Sequence, residues 1–459
     1  MGVSILTLAV SVTLLLRPKA SGPNVLLIVL DTTRPDRLSL YGYERSTTPN
    51  LEKLAAESTV YTQAYSTSSW TPPSHASLFT GLLPCFHGVT QESSPIPALP
   101  SKFLTLAEAL WESGYRTSGL IGNPMLHKRT GFAQGFEEYH ETWPLRDRDG
   151  RHPAEHLLQA VLDRESDRPF FVFVNLIEPH SPYDSSREYF GIYDRHPEIE
   201  LVNYHWAQHL VGRMAGEAEL EHLGDLYDSE IQYVDTVVGR IVELLADRQA
   251  LDSTLLVITA DHGEHFGEHG LVGHIFNLYE TNVRVPLIIR YPELVTPGVR
   301  NDHYAQLHDL FETILFAAGS GDRYRSQGIN LLVDSLPNTR AVFFEYYFPL
   351  FELRNIHHGV PSGLQEEYER SPRLASFKRR LRAVRRGRLK YILGSDGRAE
   401  LYDLVDDPLE LEDLAPHARS SKLSFRTCGA YSSRCSSTVR NCPLRSRAAS
   451  NWMRRPSGS

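Results

Sequence analysis

Cysteine is scarce in this chain: there are four in 459 residues, and Cys428, Cys435 and Cys442 all fall in its last stretch. Cys85 is left alone in the body, which argues against a disulfide framework or a cysteine-rich zinc site supporting it. Positive charge is also in deficit. The 47 Lys and Arg are outnumbered by 56 Asp and Glu, and the net charge of -9 speaks against electrostatic binding of nucleic acid. Long apolar runs are missing too. Val3–Leu16 is mostly apolar but short for a membrane span, and about the length of a signal h-region. Its basic residues, Arg17 and Lys19, follow the run instead of preceding it, so a truncated leader or a misplaced start stays open. Residues 1–22 are read as a signal-like or membrane-anchor segment, which implies an extracytoplasmic or membrane-anchored protein. No internal repeat is visible.

What is present is an ordinary globular composition, 41% hydrophobic and 22% charged. Short apolar runs alternate with amphipathic helical patterns, the mark of an α/β fold with a mainly parallel central sheet flanked by helices. The candidate strands are Val25–Leu30, Thr117–Ile121, Phe170–Ile177, Thr254–Thr259 and Val285–Arg290. The candidate helices are one begun by Thr48–Pro49, Leu104–Trp111 before Gly114, and Tyr227–Leu245 with Ile231, Val234, Val238 and Ile241 on one face. Residues 23–330 are expected to form this large domain. Beyond it, Ala341–Tyr347, Arg382–Val384, Leu389–Leu393 and Glu400–Leu404 predict a small antiparallel sheet subdomain over 331–417. From Arg419 to Ser459 there are nine Lys or Arg, eleven Ser and no Asp or Glu. Residues 418–459 are therefore read as a basic, Ser-rich, disordered tail, though the abrupt change also permits a shift of reading frame.

Ligands of open α/β sheets bind beyond the carboxyl ends of the strands. Asp31 follows the first candidate strand, Asn123 the second, His180 the third, and Asp261, His262 and Glu264 the fourth. Carboxylates and imidazoles arriving at one rim suit a divalent metal, although each alone reads as a cap or loop residue. Ser68–Gly81 reads as a loop entering a helix through Pro72 and Pro73. This puts Thr71 at a helix N-terminus, where free amides favour an anion. On local sequence alone the plainer reading of Thr71 is a helix N-cap. His262, His265 and His269 have the spacing of zinc ligands, but in a loop such spacing fixes no shared face.

The opening Asp31–Leu38 with Tyr41–Gly42 resembles the first motif of the sulfatase family, in the alkaline phosphatase superfamily. Pro73–Gly81 is similar to that family's active-site signature, in which Cys or Ser is followed by any residue, Pro, Ser, Arg, Ala and Ser, an apolar pair and Thr-Gly. Asp261–Glu264, Gly267–Gly270, Gly273–His274 and Leu278–Glu280 resemble the second metal motif, and Pro179–Tyr183 the substrate-side His-x-Pro-Tyr element. Arg388–Tyr391, Glu400–Leu404 and Asp407–Pro408 resemble the family's C-terminal subdomain. The resemblance runs in order from Pro23 to His417. It implies a metal-dependent hydrolase of sulfuric or phosphoric esters, acting on a small-molecule, glycan or lipid ester.

The departures refine the expectation. Thr71 stands where the family carries its formylglycine precursor, and a threonine could give only a ketone, so no formylglycine is expected. Thr32 replaces the second aspartate of the first motif, removing one oxygen ligand. His75 stands for the motif's Arg, Asn123 for a Lys, and His274 for the later substrate Lys. A threonine beside such ligands resembles the superfamily's phosphodiesterases and its phosphoglycerol or phosphoethanolamine transferases. The reading is one divalent ion, Ca, Mn, Zn or Mg, on Asp31, Thr71, Asp261 and His262. A His ligand and a lost carboxylate move the expectation away from Ca. Thr71 is the expected nucleophile, His180 and His274 catalytic, and His75 and Asn123 substrate-binding. Asp228 is followed four residues on by Gln232 instead of His, so a second metal is not expected. A headgroup transferase and a non-catalytic binding protein are the alternatives.

Overall fold

The computed structural model of the protein describes residues 20, 22–90, 98–145, 147–184, 188–199, 215–333, 340–347, 365–370 and 376–416. Most of segment 1–22 and all of 418–459 lie outside them. Among the described residues, no helix is long and apolar enough to cross a membrane.

Fourteen strands are described. They are β1 (Asn24–Leu30), β2 (Thr59–Tyr65), β3 (Arg116–Ile121), β4 (Glu138–Glu141), β5 (Phe170–Leu176), β6 (Thr254–Ala260), β7 (His265–Phe266), β8 (Val272–Gly273), β9 (Arg284–Arg290), β10 (Val299–Gln306), β11 (Val342–Tyr346), β12 (Leu381–Arg386), β13 (Leu389–Gly394) and β14 (Ala399–Asp403). The large sheet has the order β10-β2-β9-β6-β1-β5-β3-β4. Only β9 runs antiparallel to its neighbours β2 and β6. Expected as one more central strand, it is one, but of reversed direction. Strands β2, β4 and β10 carry polar residues, so they do not read as apolar runs in the sequence.

The central strand β1 shows why the sheet is buried on both sides. Val25, Leu27 and Val29 enter one apolar cluster, while Leu26, Ile28 and Leu30 enter the other. Successive side chains of a strand point to opposite faces, so a wholly apolar strand needs a layer on each. Helices α1 (Pro49–Ala55), α4 (Pro153–Leu162) and α5 (Glu217–Asp247) cover one face. Helices α2 (Thr71–Thr80), α3 (Leu106–Glu112) and α6 (Asp309–Ala317) cover the other.

Helix ends differ from the expectations for physical reasons. Helix α3 begins two residues later because Thr105 caps it, accepting from the Glu108 amide while Glu108 reaches back to the Thr105 amide. Thr48 makes no cap bond to α1; its hydroxyl accepts from the Leu40 amide instead. Helix α5 extends ten residues upstream of the expected start, through a stretch whose polar residues enter ion pairs.

The small sheet, β11-β12-β13-β14, is antiparallel throughout. Its Phe344 and Tyr346 share an apolar cluster with Tyr65, Trp70, Ile275 and Phe276 of the large unit. Cys85, the lone cysteine of the body, is disulfide-bonded.

Candidate active site

Five parallel strands discharge onto one rim. From β6 come Asp261 and His262, from β1 Asp31, from β5 Asn175 at its penultimate position, and from β3 Asn123. Strand β2 leads through Ser66–Trp70 into α2, whose first residue is Thr71. Trp70 occupies the N-cap position, so Thr71 is not the cap that local sequence suggests. Its side chain is free for other work, in the turn where helix amides remain unpaired.

Asp31, Asp261 and His262 are fully buried, and one ligand atom from each lies within 4.8 Å of the others. His262 donates through Nδ1 to the Gly263 carbonyl at 3.0 Å, which leaves the Nε2 lone pair facing the carboxylates. That Nε2 is 3.3 Å from Asp261 Oδ2, 3.9 Å from Asp31 Oδ1 and 3.3 Å from the Thr71 hydroxyl. Asp31 Oδ1 and Asp261 Oδ2 are buried with no hydrogen-bond partner, which is costly for a carboxylate. Two orphaned carboxylate oxygens converging with an imidazole lone pair fit a divalent cation.

The remaining oxygens are occupied. Asp31 Oδ2 accepts from Asn123 Nδ2 at 2.8 Å and from Asn175 Nδ2 at 3.3 Å. Asp261 Oδ1 accepts from the amides of Thr32 at 3.2 Å and His262 at 2.9 Å. Thr32 presents that amide from the left-handed region, φ 53°, which a β-branched residue rarely adopts. It is held there by the Tyr227 hydroxyl, which donates to the Thr32 carbonyl at 2.7 Å, and by its own hydroxyl, which donates to the Pro179 carbonyl at 3.0 Å.

Electrostatics follow from burial. Burial and the Asp261 charge lift the Asp31 carboxyl to about 7, and burial lifts Asp261 to about 7. Burial, with His274 beside it, pulls His262 down to about 3, keeping it neutral as a ligand must be. His180 is also pulled down by burial, but the charges of Asp31 and Glu264 outweigh this and raise it above the ordinary histidine value. Burial holds His274 well below that value.

The other expected residues gather nearby. The His274 ring lies tilted 4.5 Å from His262 and edge-on 5.1 Å from His180, centroid to centroid, and its Nδ1 is 3.0 Å from Glu264 Oε1. Asn123 also donates to the Thr71 hydroxyl at 3.3 Å, so it bridges a carboxylate and that hydroxyl. His75 is fully buried behind the cluster, donating to the Thr71 carbonyl at 3.0 Å, with Nδ1 3.5 Å from Asp261 Oδ2. His265 and His269 lie outside the three-residue cluster. Sequence reasoning missed Asn175, Glu264 as a partner of His274, and the structural work of Thr32. Asn175 had a signal, being the one polar residue of an otherwise apolar strand.

A family model described as sulfatase matches residues 23–320. The chain is 27% identical over 471 residues to choline-sulfatase of Rhizobium meliloti, covering 86% of this chain and 83% of that protein. Its fold matches phosphonate monoester hydrolase of Agrobacterium radiobacter with a TM-score of 0.66 and 21% identity, over 91% of this chain and 95% of that one. It also matches an enzyme solved with its substrate D-glucosamine-2-N,6-O-disulfate, with a TM-score of 0.70 and 19% identity, over 93% and 100% of the two chains. On that family match, which spans well over half of its length, the chain belongs to the sulfatase family and is an ester hydrolase.

Proposed function

We propose that this ester hydrolase cleaves sulfuric, phosphoric or phosphonic esters by direct attack of the Thr71 hydroxyl, with no formylglycine. The observation that carries the reading is the placement of Thr71. Its hydroxyl lies 3.3 Å from His262 Nε2 and accepts from Asn123 at the first turn of α2. Asp31, Asp261 and His262 would hold one divalent ion there. When bound, that ion supplies positive charge that lowers the pKa of a nearby hydroxyl and balances anionic substrate oxygens.

The rest falls to the chain's own groups. Thr71 Oγ1 loses its proton to solvent water and bonds to the sulfur or phosphorus while the bond to the departing ester oxygen breaks. His180, whose hold on its proton the charges of Asp31 and Glu264 strengthen, gives that proton to the departing oxygen. Water then hydrolyses the threonine ester and restores the hydroxyl. The amide of Asn123 steadies Oγ1 as charge develops on it.

Likeness to both sulfatases and a phosphonate monoester hydrolase makes the two ester classes equal candidates. Purified protein assayed on aryl sulfate, phosphate mono- and diester and phosphonate monoester, each with several metals, tests the proposal. Turnover of one class with a threonine adduct at residue 71 is expected. No turnover of any class would overturn it and favour a binding role.

A further inference from the structure

The site's oxygens are rationed by neutral donors, and this decides which cation it takes. We infer that Asn123, Asn175 and Thr32 make it a zinc-type site and exclude calcium, an inference that rests on the proposed metal site but not on the ester chosen. Calcium takes six to eight oxygen ligands and commonly uses both oxygens of a carboxylate. Here the Asp31 carboxylate has Oδ2 committed to Asn123 and Asn175. Neither amide is turned by chance. Asn123 Oδ1 accepts from the Met125 amide at 2.8 Å, and Asn175 Oδ1 accepts from the Asn123 amide at 2.7 Å, so both Nδ2 groups must face Asp31. The Asp261 carboxylate has Oδ1 committed to two backbone amides.

Each carboxylate is thus left one oxygen, Asp31 Oδ1 and Asp261 Oδ2, and each of these is buried without a partner. Thr32, whose amide binds Asp261 Oδ1, sends its hydroxyl away to the Pro179 carbonyl. The protein offers two single carboxylate oxygens and one imidazole nitrogen, with the Thr71 hydroxyl beside the imidazole. Three protein ligands and one further position is the pattern of catalytic zinc, which tolerates nitrogen and low coordination number. Calcium would find too few protein oxygens and an unsuitable nitrogen.

The test is metal binding to chelator-stripped protein by calorimetry and melting temperature, with zinc, manganese, magnesium and calcium chlorides. One zinc per chain is expected to bind at least a hundredfold more tightly than calcium, and Asp261→Asn should abolish that zinc binding. Thr32→Asp is the decisive variant, because Asp tolerates the left-handed backbone better than Thr and adds a carboxylate. It should narrow the zinc-to-calcium ratio at least tenfold. Asn175→Ala, which frees Asp31 Oδ2, should narrow it in the same direction. Calcium binding as tightly as zinc in the wild type overturns the inference, as does an unchanged ratio in both variants. Selective zinc binding without turnover of any ester would overturn the proposed function and leave this inference standing.

Discussion

Thr71 is held from three sides, and each contact has a consequence for its variants. Its backbone opens α2, its carbonyl accepts from His75, and its hydroxyl sits between Asn123 and His262. Thr71→Ala keeps the first two and removes the third. Turnover is expected to fall by several orders of magnitude, while metal affinity weakens only modestly because Asp31, Asp261 and His262 remain. Thr71→Ser keeps the hydroxyl and should retain activity. Steady-state kinetics on the best ester check both, and mass spectrometry of the peptide spanning residue 71 should show unmodified threonine. Near-native turnover in Thr71→Ala would assign the attack to water or to another residue.

At the scale of an element, α1 shows a cap supplied from a distance. Asp235 of α5 accepts from the Asn50 amide through Oδ2 and from the Leu51 amide through Oδ1, both at 2.9 Å. It does for α1 what Thr48 was expected to do. Asp235→Ala should lower stability by about 2 kcal/mol at pH 5, by leaving a buried and a half-buried amide without an acceptor. Burial raises the Asp235 carboxyl to about 6, above its unfolded value of about 3.9. The folded chain therefore binds this proton more tightly. The resulting stabilisation is complete below the unfolded value and is lost as pH rises through 6. The deficit of the variant should accordingly narrow between pH 5 and pH 7, as melting temperatures of the two proteins will show. A deficit that widens would mean that the ionised carboxylate is the better cap.

At the scale of the whole molecule, a buried lysine ties the small sheet to the large unit. Lys390 of β13 is fully buried and pairs with Glu280 at 3.1 Å and Glu410 at 2.9 Å. Arg385 of β12 adds a contact of 2.8 Å to Glu280, which lies just before β9. Lys390→Met keeps the volume but strands two carboxylates with one cation fewer, and such a break typically costs about 3–5 kcal/mol. A drop in denaturation midpoint is expected, and a triple variant that also neutralises Glu280 and Glu410 should recover part of it. No recovery would locate the loss in packing instead of charge.

The sequence by itself determined the α/β class, the central strands and the rim where the chemistry gathers, because apolar runs and the polar residues after them are local patterns. The family's motifs marked Asp31, Thr71, Asp261 and His262 in the same way. Tertiary structure alone decided the reversed direction of β9, the capping of α1 by Asp235, and the pairing of Glu264 with His274. It also decided which oxygen of each carboxylate stays free. Those facts depend on residues such as Asn175 and Asp31, 144 positions apart, meeting across neighbouring strands. A pattern along the chain carries periodicity and local capping, but the partner of a buried polar atom is set only when the strands are laid side by side.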